Sequence, residues 1–214
     1  GLARRVAQAI EAYRFDDASA ALYQFAWGTF CDWYLEIAKP IFNGADQAAA
    51  AETRATVAWT IRHILRVLHP VMPFVTEELW AQFRLPGDKK LIQESWPPET
   101  SAPVDAAASA EMNWVVKLIE AIRSIRAQYN VEPGKALVAA LAHASPPTAK
   151  RLETHRELVL RLGRLSSIAV AVDAAAKGAI ESVVDEATLR LFIADAVDKP
   201  AELKRIGKEL DKIA

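Results

Sequence analysis

Cysteine is nearly missing from this chain of 214 residues: Cys31 stands alone. One thiol excludes an internal disulfide and a cysteine-built zinc site. Its place in an aromatic run predicts a small buried hydrophobe, and sparse cysteine fits a reducing, cytoplasmic setting. The eight glycines, at 1, 28, 44, 87, 134, 163, 178 and 207, form neither a GxGxxG turn nor a P-loop. Gly134-Lys135 and Gly207-Lys208 lack the earlier glycine and the following Ser or Thr that phosphate cradling needs. Histidines 63, 69, 143 and 155 show no HExxH spacing. No apolar run reaches the roughly 20 residues of a membrane-spanning helix, and the opening residues do not read as a signal peptide. The net charge of −1 gives no global pull toward nucleic acid or membrane. Glu77 and Glu78 are adjacent, so on a helix they point about 100° apart; they read as compensation of a helix N-terminus, not as a catalytic pair. No catalytic, metal or cofactor-binding residue is expected in this chain.

What the chain does have is a dense aromatic helix. From Asp16 to Phe42 it reads DDASAALYQFAWGTFCDWYLEIAKPIF, with Tyr23, Phe25, Trp27, Phe30, Trp33 and Tyr34 inside twelve residues. Two apolar lines in steps of three and four, Leu22-Ala26-Phe30-Trp33-Ile37 and Tyr23-Trp27-Phe30-Tyr34, predict a helix apolar on more than one face. Such a helix belongs at the centre of a bundle, with most of its rings in the core and one or two exposed at an end. Asp16 and Asp17 cap its start; Pro40 marks its end, and Asn43-Gly44 supplies a left-handed close.

Other helices follow from the same periodicity: Leu2–Tyr13, a long helix from Asp46 to Leu68, a short one from Phe74 to Phe83 with Pro73 in its first turn, and one from Asp105 or Ser109 to Tyr129. The last turns Met112, Val115, Ile119, Ile122, Ile125 and Tyr129 inward, and Arg123, Arg126 and Asn130 outward. Residues 84–104 are loop-like. After Pro133-Gly134 the pattern changes: strands at 136–143, 167–172, 180–184 and 189–193, a helix from Pro146 to about Leu165, and a turn at Asp185-Glu186. That order predicts a small antiparallel sheet with one helix packed on it, although the Ala-rich run 171–179 also fits helix.

Charge is uneven. Nine basic residues against four acidic ones lie between Lys117 and Arg164. Arginines and lysines on one side suit a phosphate backbone, and exposed aromatics suit splayed-out bases. The candidate RNA-binding residues are Arg62, Arg66, Arg123, Arg126 and Lys135. The competing reading is a pair of solvated helix faces.

Three stretches carry a family resemblance. FCDWYLEIAKP (30–40), HPVMPFVTEELW (69–80) and RSIRAQYNVEPGK (123–135) resemble the C-terminal part of valyl-tRNA synthetase, a class I enzyme. The second stretch is shared with the isoleucyl, leucyl and methionyl branches; the first and third together point to the valyl one. Leu203, Ile206, Leu210 and Ile213 form a short heptad seam, similar to the start of that family's coiled-coil arm. The chain thus reads as a fragment of a longer protein. The resemblance implies a mainly α fold: an antiparallel helical bundle of the anticodon-binding type at 1–130, a small α+β junction domain at 131–198 and the beginning of a coiled-coil helix at 199–214. It implies a tRNA-binding fragment of a valine-tRNA ligase, a monomer whose partners are valine tRNA and the rest of its own polypeptide. ATP and magnesium would serve a catalytic domain not contained here, since neither family signature (His-Ile-Gly-His or Lys-Met-Ser-Lys-Ser type) occurs. Alternatives are the same module of an isoleucyl enzyme, or a helical protein-interaction module that dimerises through its heptad tail.

Overall fold

In the computed structural model the structure describes residues 1–98, 104–171, 178–194 and 196. The expected arm at 199–214 and most of the Ala-rich run lie outside them. The chain divides into two compact units, Gly1–Pro103 and Val104–Ala214. It is mainly α, with a small α+β part.

The first unit is helical. Helices α1 (Leu2–Glu11) and α2 (Phe15–Tyr23) pack as a hairpin, and α2 runs on through a π-helical stretch (Gln24–Leu35) into α3 (Glu36–Phe42). Helix α4 (Gln47–Leu68) is capped by Asp46, whose carboxylate accepts from the Ala49 N–H at 3.0 Å. Helix α5 (Pro73–Phe83) returns along it. Val6, Ala18, Ala21, Leu22 and Val67 form one buried cluster, and Leu65, Trp80 and Leu91 a second.

The aromatic helix departs from expectation in three ways. Its central twelve residues are π-helical, wider than 3.6 residues per turn. Steps of three and four therefore do not stack the rings on one face, and of the aromatics between Tyr23 and Tyr34 only Phe30 is buried. Tyr34 stacks on Phe30 with centroids 5.8 Å apart, and Trp33 is half-buried. Second, Pro40 lies inside α3 rather than ending it. Third, the close is not left-handed. Asn43 has φ −100° and its Nδ2 donates to the Lys39 carbonyl at 3.2 Å. Gly44 is needed for proximity instead: a Cβ there would stand 3.1 Å from the Pro40 carbonyl oxygen.

The second unit is a four-stranded sheet with helices. Helix α6 (Ala106–Gln128) opens at Asp105, which accepts from Ala108 N–H at 2.9 Å. It packs on β3, β4 and α8, so this helix sits with the sheet and not with α1–α5. Strands β1 (Leu137–Ala142), β2 (Leu165–Val170), β3 (Ala179–Val184) and β4 (Ala187–Phe192) are ordered β2-β1-β4-β3. β3 and β4 form a hairpin with Val184 opposite Ala187, and Asp185 takes the left-handed position at φ 51°. β1 pairs antiparallel with β4 but parallel with β2. The expected all-antiparallel sheet is therefore corrected to a mixed one. The β1–β2 connection is a helical crossover, which brings the second strand back in the same direction. That crossover holds two helices, α7 (Pro146–Thr154) and α8 (Arg156–Gly163), broken at His155.

Candidate nucleic-acid interface

Arg62 and Arg66 stand one turn apart on α4 and share a face, as their spacing predicts, but that face is committed. Arg62 Nη1 donates to the Phe83 carbonyl and to Asp88 Oδ2, each at 2.6 Å. Arg66 Nη2 donates to Glu94 Oε2 at 2.8 Å. Their guanidinium carbons lie 4.4 and 5.3 Å from the centroid of Trp80, a stacked cation–π arrangement. Trp80 in turn donates to the Lys89 carbonyl at 3.0 Å. The two arginines thus clamp the segment 84–94 to α4 and α5. Glu77 helps from α5 by accepting from the Leu91 and Ile92 N–H groups at 3.0 and 3.2 Å, capping the 3₁₀ turn Leu91–Gln93. Asp88 is held below its usual range first by the Arg62 hydrogen bond, then by that of the Leu85 N–H.

The rings available to bases are elsewhere on this unit. Tyr23 and Trp27 are 68% and 59% exposed, and they lie within the continuous helical run rather than at its end, where free rings were expected. Tyr13, expected at the end of the first helix on the side of Leu2, Val6 and Ile10, instead lies past α1 and is 83% exposed; it meets Phe15, 59% exposed, edge to face at 6.4 Å in the α1–α2 turn. Tyr13 has φ 58°; that left-handed kink sets a large ring at the turn.

In the second unit the structure brings Arg123 and Arg126 together and adds Arg164. Arg123 is exposed and donates from Nε to the Leu162 carbonyl at 3.3 Å. Arg126 does not stand on an outer face. It is 7% exposed, and donates to the Arg164 carbonyl at 3.4 Å and the Glu132 carbonyl at 2.9 Å. Arg164, at φ 53° just past the end of α8, donates to the Pro133 carbonyl at 2.7 Å. With Leu162 and Gly163 these arginines line a cavity of about 220 Å³. Lys135 is exposed in the turn after α6, where its N–H donates to the Glu132 carbonyl at 3.0 Å. Of the remaining basic residues, Lys117 pairs with Asp185 at 2.7 Å, Arg156 with Glu153 at 2.7 Å, and Arg151 lies over Trp114 at 5.3 Å. Much of the charge surplus is therefore structural.

The sequence model described as the anticodon-binding domain of tRNA ligase matches residues 1–141. The chain belongs to that family. Among curated relatives, the valine–tRNA ligase of Caulobacter vibrioides is 48% identical over 208 residues, covering 96% of this chain and 23% of the relative. Those of Mesorhizobium japonicum and Rhizobium meliloti are each 42% identical, covering 99% and 98% of the chain and 23% and 22% of the relative. The chain thus spans less than a quarter of the length of these relatives. Among the described residues no helix is long and apolar enough to cross a membrane, and no group of three or more His, Cys, Asp or Glu could hold a metal.

Proposed function

We propose that this chain is the tRNA-holding part of a valine–tRNA ligase, and that it grips the anticodon region of valine tRNA. The observation that carries this is the 48% identity to a valine–tRNA ligase over 96% of the chain, with the anticodon-binding family match beneath it. The exposed rings Tyr13, Phe15, Tyr23 and Trp27 supply stacking surfaces for unpaired bases. Arg123, Arg126 and Lys135 supply cations; Arg62 and Arg66 serve chiefly to hold the 84–94 segment in shape. The chain's role is to bind and orient. Contacts far from the reacting ends raise the rate by fixing the tRNA for aminoacylation elsewhere. ATP and magnesium belong, in this proposal, to residues outside the chain, because its sequence holds neither a GxGxxG turn, a P-loop nor the catalytic signatures of the family. The finer assignments go with it: 1–130 as the anticodon-binding region, 131–198 as a junction, 199–214 as the start of a coiled-coil arm, and a cytoplasmic monomer.

Nuclease footprinting of valine tRNA bound to this chain tests the reading. Protection of the anticodon loop is expected. Protection confined to the acceptor end, or none at a saturating concentration, refutes it.

A further inference from the structure

Helix α5 turns one side inward and leaves the other bare. Thr76 and Trp80 are buried and Phe83 is half-buried, whereas Phe74, Val75, Glu78 and Leu79, at i, i+1, i+4 and i+5, share the outward side. Phe74 is 90% exposed. Val75 and Leu79, with Val71 and Met72 in the turn before the helix, lie between 38% and 48%. Together these five side chains present roughly 400 Å² of apolar surface, a size at which an exposed patch marks an interaction site. The patch is also held in shape. Pro70 and Pro73 each fix a backbone angle in the turn. Thr76 donates its hydroxyl to the Met72 carbonyl at 2.8 Å and accepts from His69 Nδ1–H at 2.8 Å. The Val71 and Met72 N–H groups each donate to the Leu68 carbonyl at 3.0 Å. A surface organised in advance loses little conformational freedom when it is covered.

We propose that this patch docks the part of the longer polypeptide that lies outside this chain, through an apolar surface with a lysine or arginine opposite Glu78. The proposal rests on the reading of the chain as part of a valine–tRNA ligase. Length supports this occupant: the chain covers 23% of the Caulobacter vibrioides relative, so most of such a polypeptide is available to meet it. Area supports it too. A separate partner chain needs about 800 Å² on each side, twice what the patch offers. Domains of one polypeptide meet over interfaces of about 600 Å² upward, and their tether raises the effective concentration. Charge argues against the other occupants. Residues 69–82 hold no lysine or arginine, so the patch has nothing to neutralise an RNA phosphate. Glu78, exposed and without an ion-pair partner among the described residues, repels one. A second copy set face to face would bring the same cation-free surface to Glu78.

The test is hydroxyl-radical footprinting read by mass spectrometry, on this chain and on the full-length polypeptide, each without RNA. Met72 and Phe74 are expected to oxidise readily in this chain at every concentration and several-fold more slowly in the full-length protein. Tyr23, exposed and outside the patch, is expected to stay reactive in both. Phe74→Asp is expected to leave the melting midpoint of this chain unchanged, and to restore Met72 oxidation in the full-length protein. Equal oxidation of Met72 and Phe74 in the two proteins overturns the docking. So does protection that grows in this chain with its concentration, the sign of a second copy, or protection of the full-length protein only when tRNA is added, the sign of an RNA surface. Met72 still protected in the full-length Phe74→Asp variant also overturns it. Charging of valine tRNA by the full-length protein is measured separately. If there is none, the functional reading fails, and the footprint, taken without RNA, still decides the docking.

Discussion

Trp80→Ala should be the most damaging single change in the first unit. The ring is 1% exposed, packed with Leu65 and Leu91 and with the half-buried Ile61 and Phe83. Truncation of a buried aromatic to alanine costs about 3–5 kcal/mol in transfer and cavity terms. The Lys89 carbonyl loses its donor, about 1 kcal/mol. The two arginines lose the face they stack on, at about 0.5–1 kcal/mol each. These terms share atoms and do not add in full, so about 4–5 kcal/mol is expected. For a unit near 100 residues that corresponds to a fall in Tm of about 20 °C. Trp80→Phe keeps most of the apolar ring and should lose only about 1–2 kcal/mol. Urea unfolding of both variants, followed by far-UV circular dichroism, measures the difference. A Trp80→Ala protein within 1 kcal/mol of the parent chain would refute the clamp, because it would mean that segment 84–94 does not depend on this ring.

Trp33→Ala, by contrast, should cost about 1 kcal/mol in the same assay, because its ring is half-buried on the π-helical stretch; a loss above 3 kcal/mol would restore the buried-core reading of that helix. Glu77→Ala strips the acceptor from two backbone N–H groups, at Leu91 and Ile92, and should destabilise by about 2 kcal/mol with faster proteolysis near residue 91; unchanged cleavage would contradict the cap. Asp46→Ala should cost about 1 kcal/mol, and a change below 0.3 kcal/mol by urea titration would argue against that N-cap. Asp88 and Glu186 are both held below the usual carboxylate range, by hydrogen bonds first of all from Arg62 and Thr148 respectively. Groups depressed on folding stabilise above the unfolded pKa, near 4, and lose that contribution as pH falls through the folded one. Urea midpoints should therefore drop between pH 5 and pH 3, and drop less in Asp88→Asn; midpoints that hold or rise on acidification would reverse the sign.

Local signals carried the helices and little about what each face meets. Asp46 and Asp105 marked true N-caps, and Val115, Ile119, Ile122 and Ile125 all proved buried. Arg126 sits on the same helix, and its polarity argued for solvent. Its guanidinium meets the carbonyls of Glu132 and Arg164, residues beyond α6 that no periodicity within the helix encodes. The sheet shows the same limit: each strand was legible from its apolar run, whereas the parallel pairing of β1 with β2 follows from the crossover that joins them. The aromatic run failed for a different reason. A 3.6-residue template was laid over a stretch that winds more widely, so its predicted faces did not exist. Arg62 and Arg66 were placed on the right face, but their partners Asp88 and Glu94 come from a segment that had no periodicity to read.

Binding of this chain to valine tRNA, compared with the same tRNA carrying a different anticodon at several salt concentrations, tests the central claim most directly. The account predicts affinity that falls steeply with salt and weakens on the anticodon exchange. Salt-dependent binding indifferent to the exchange would reduce the chain to a backbone clamp, and absence of binding near 50 mM salt would contradict the account outright.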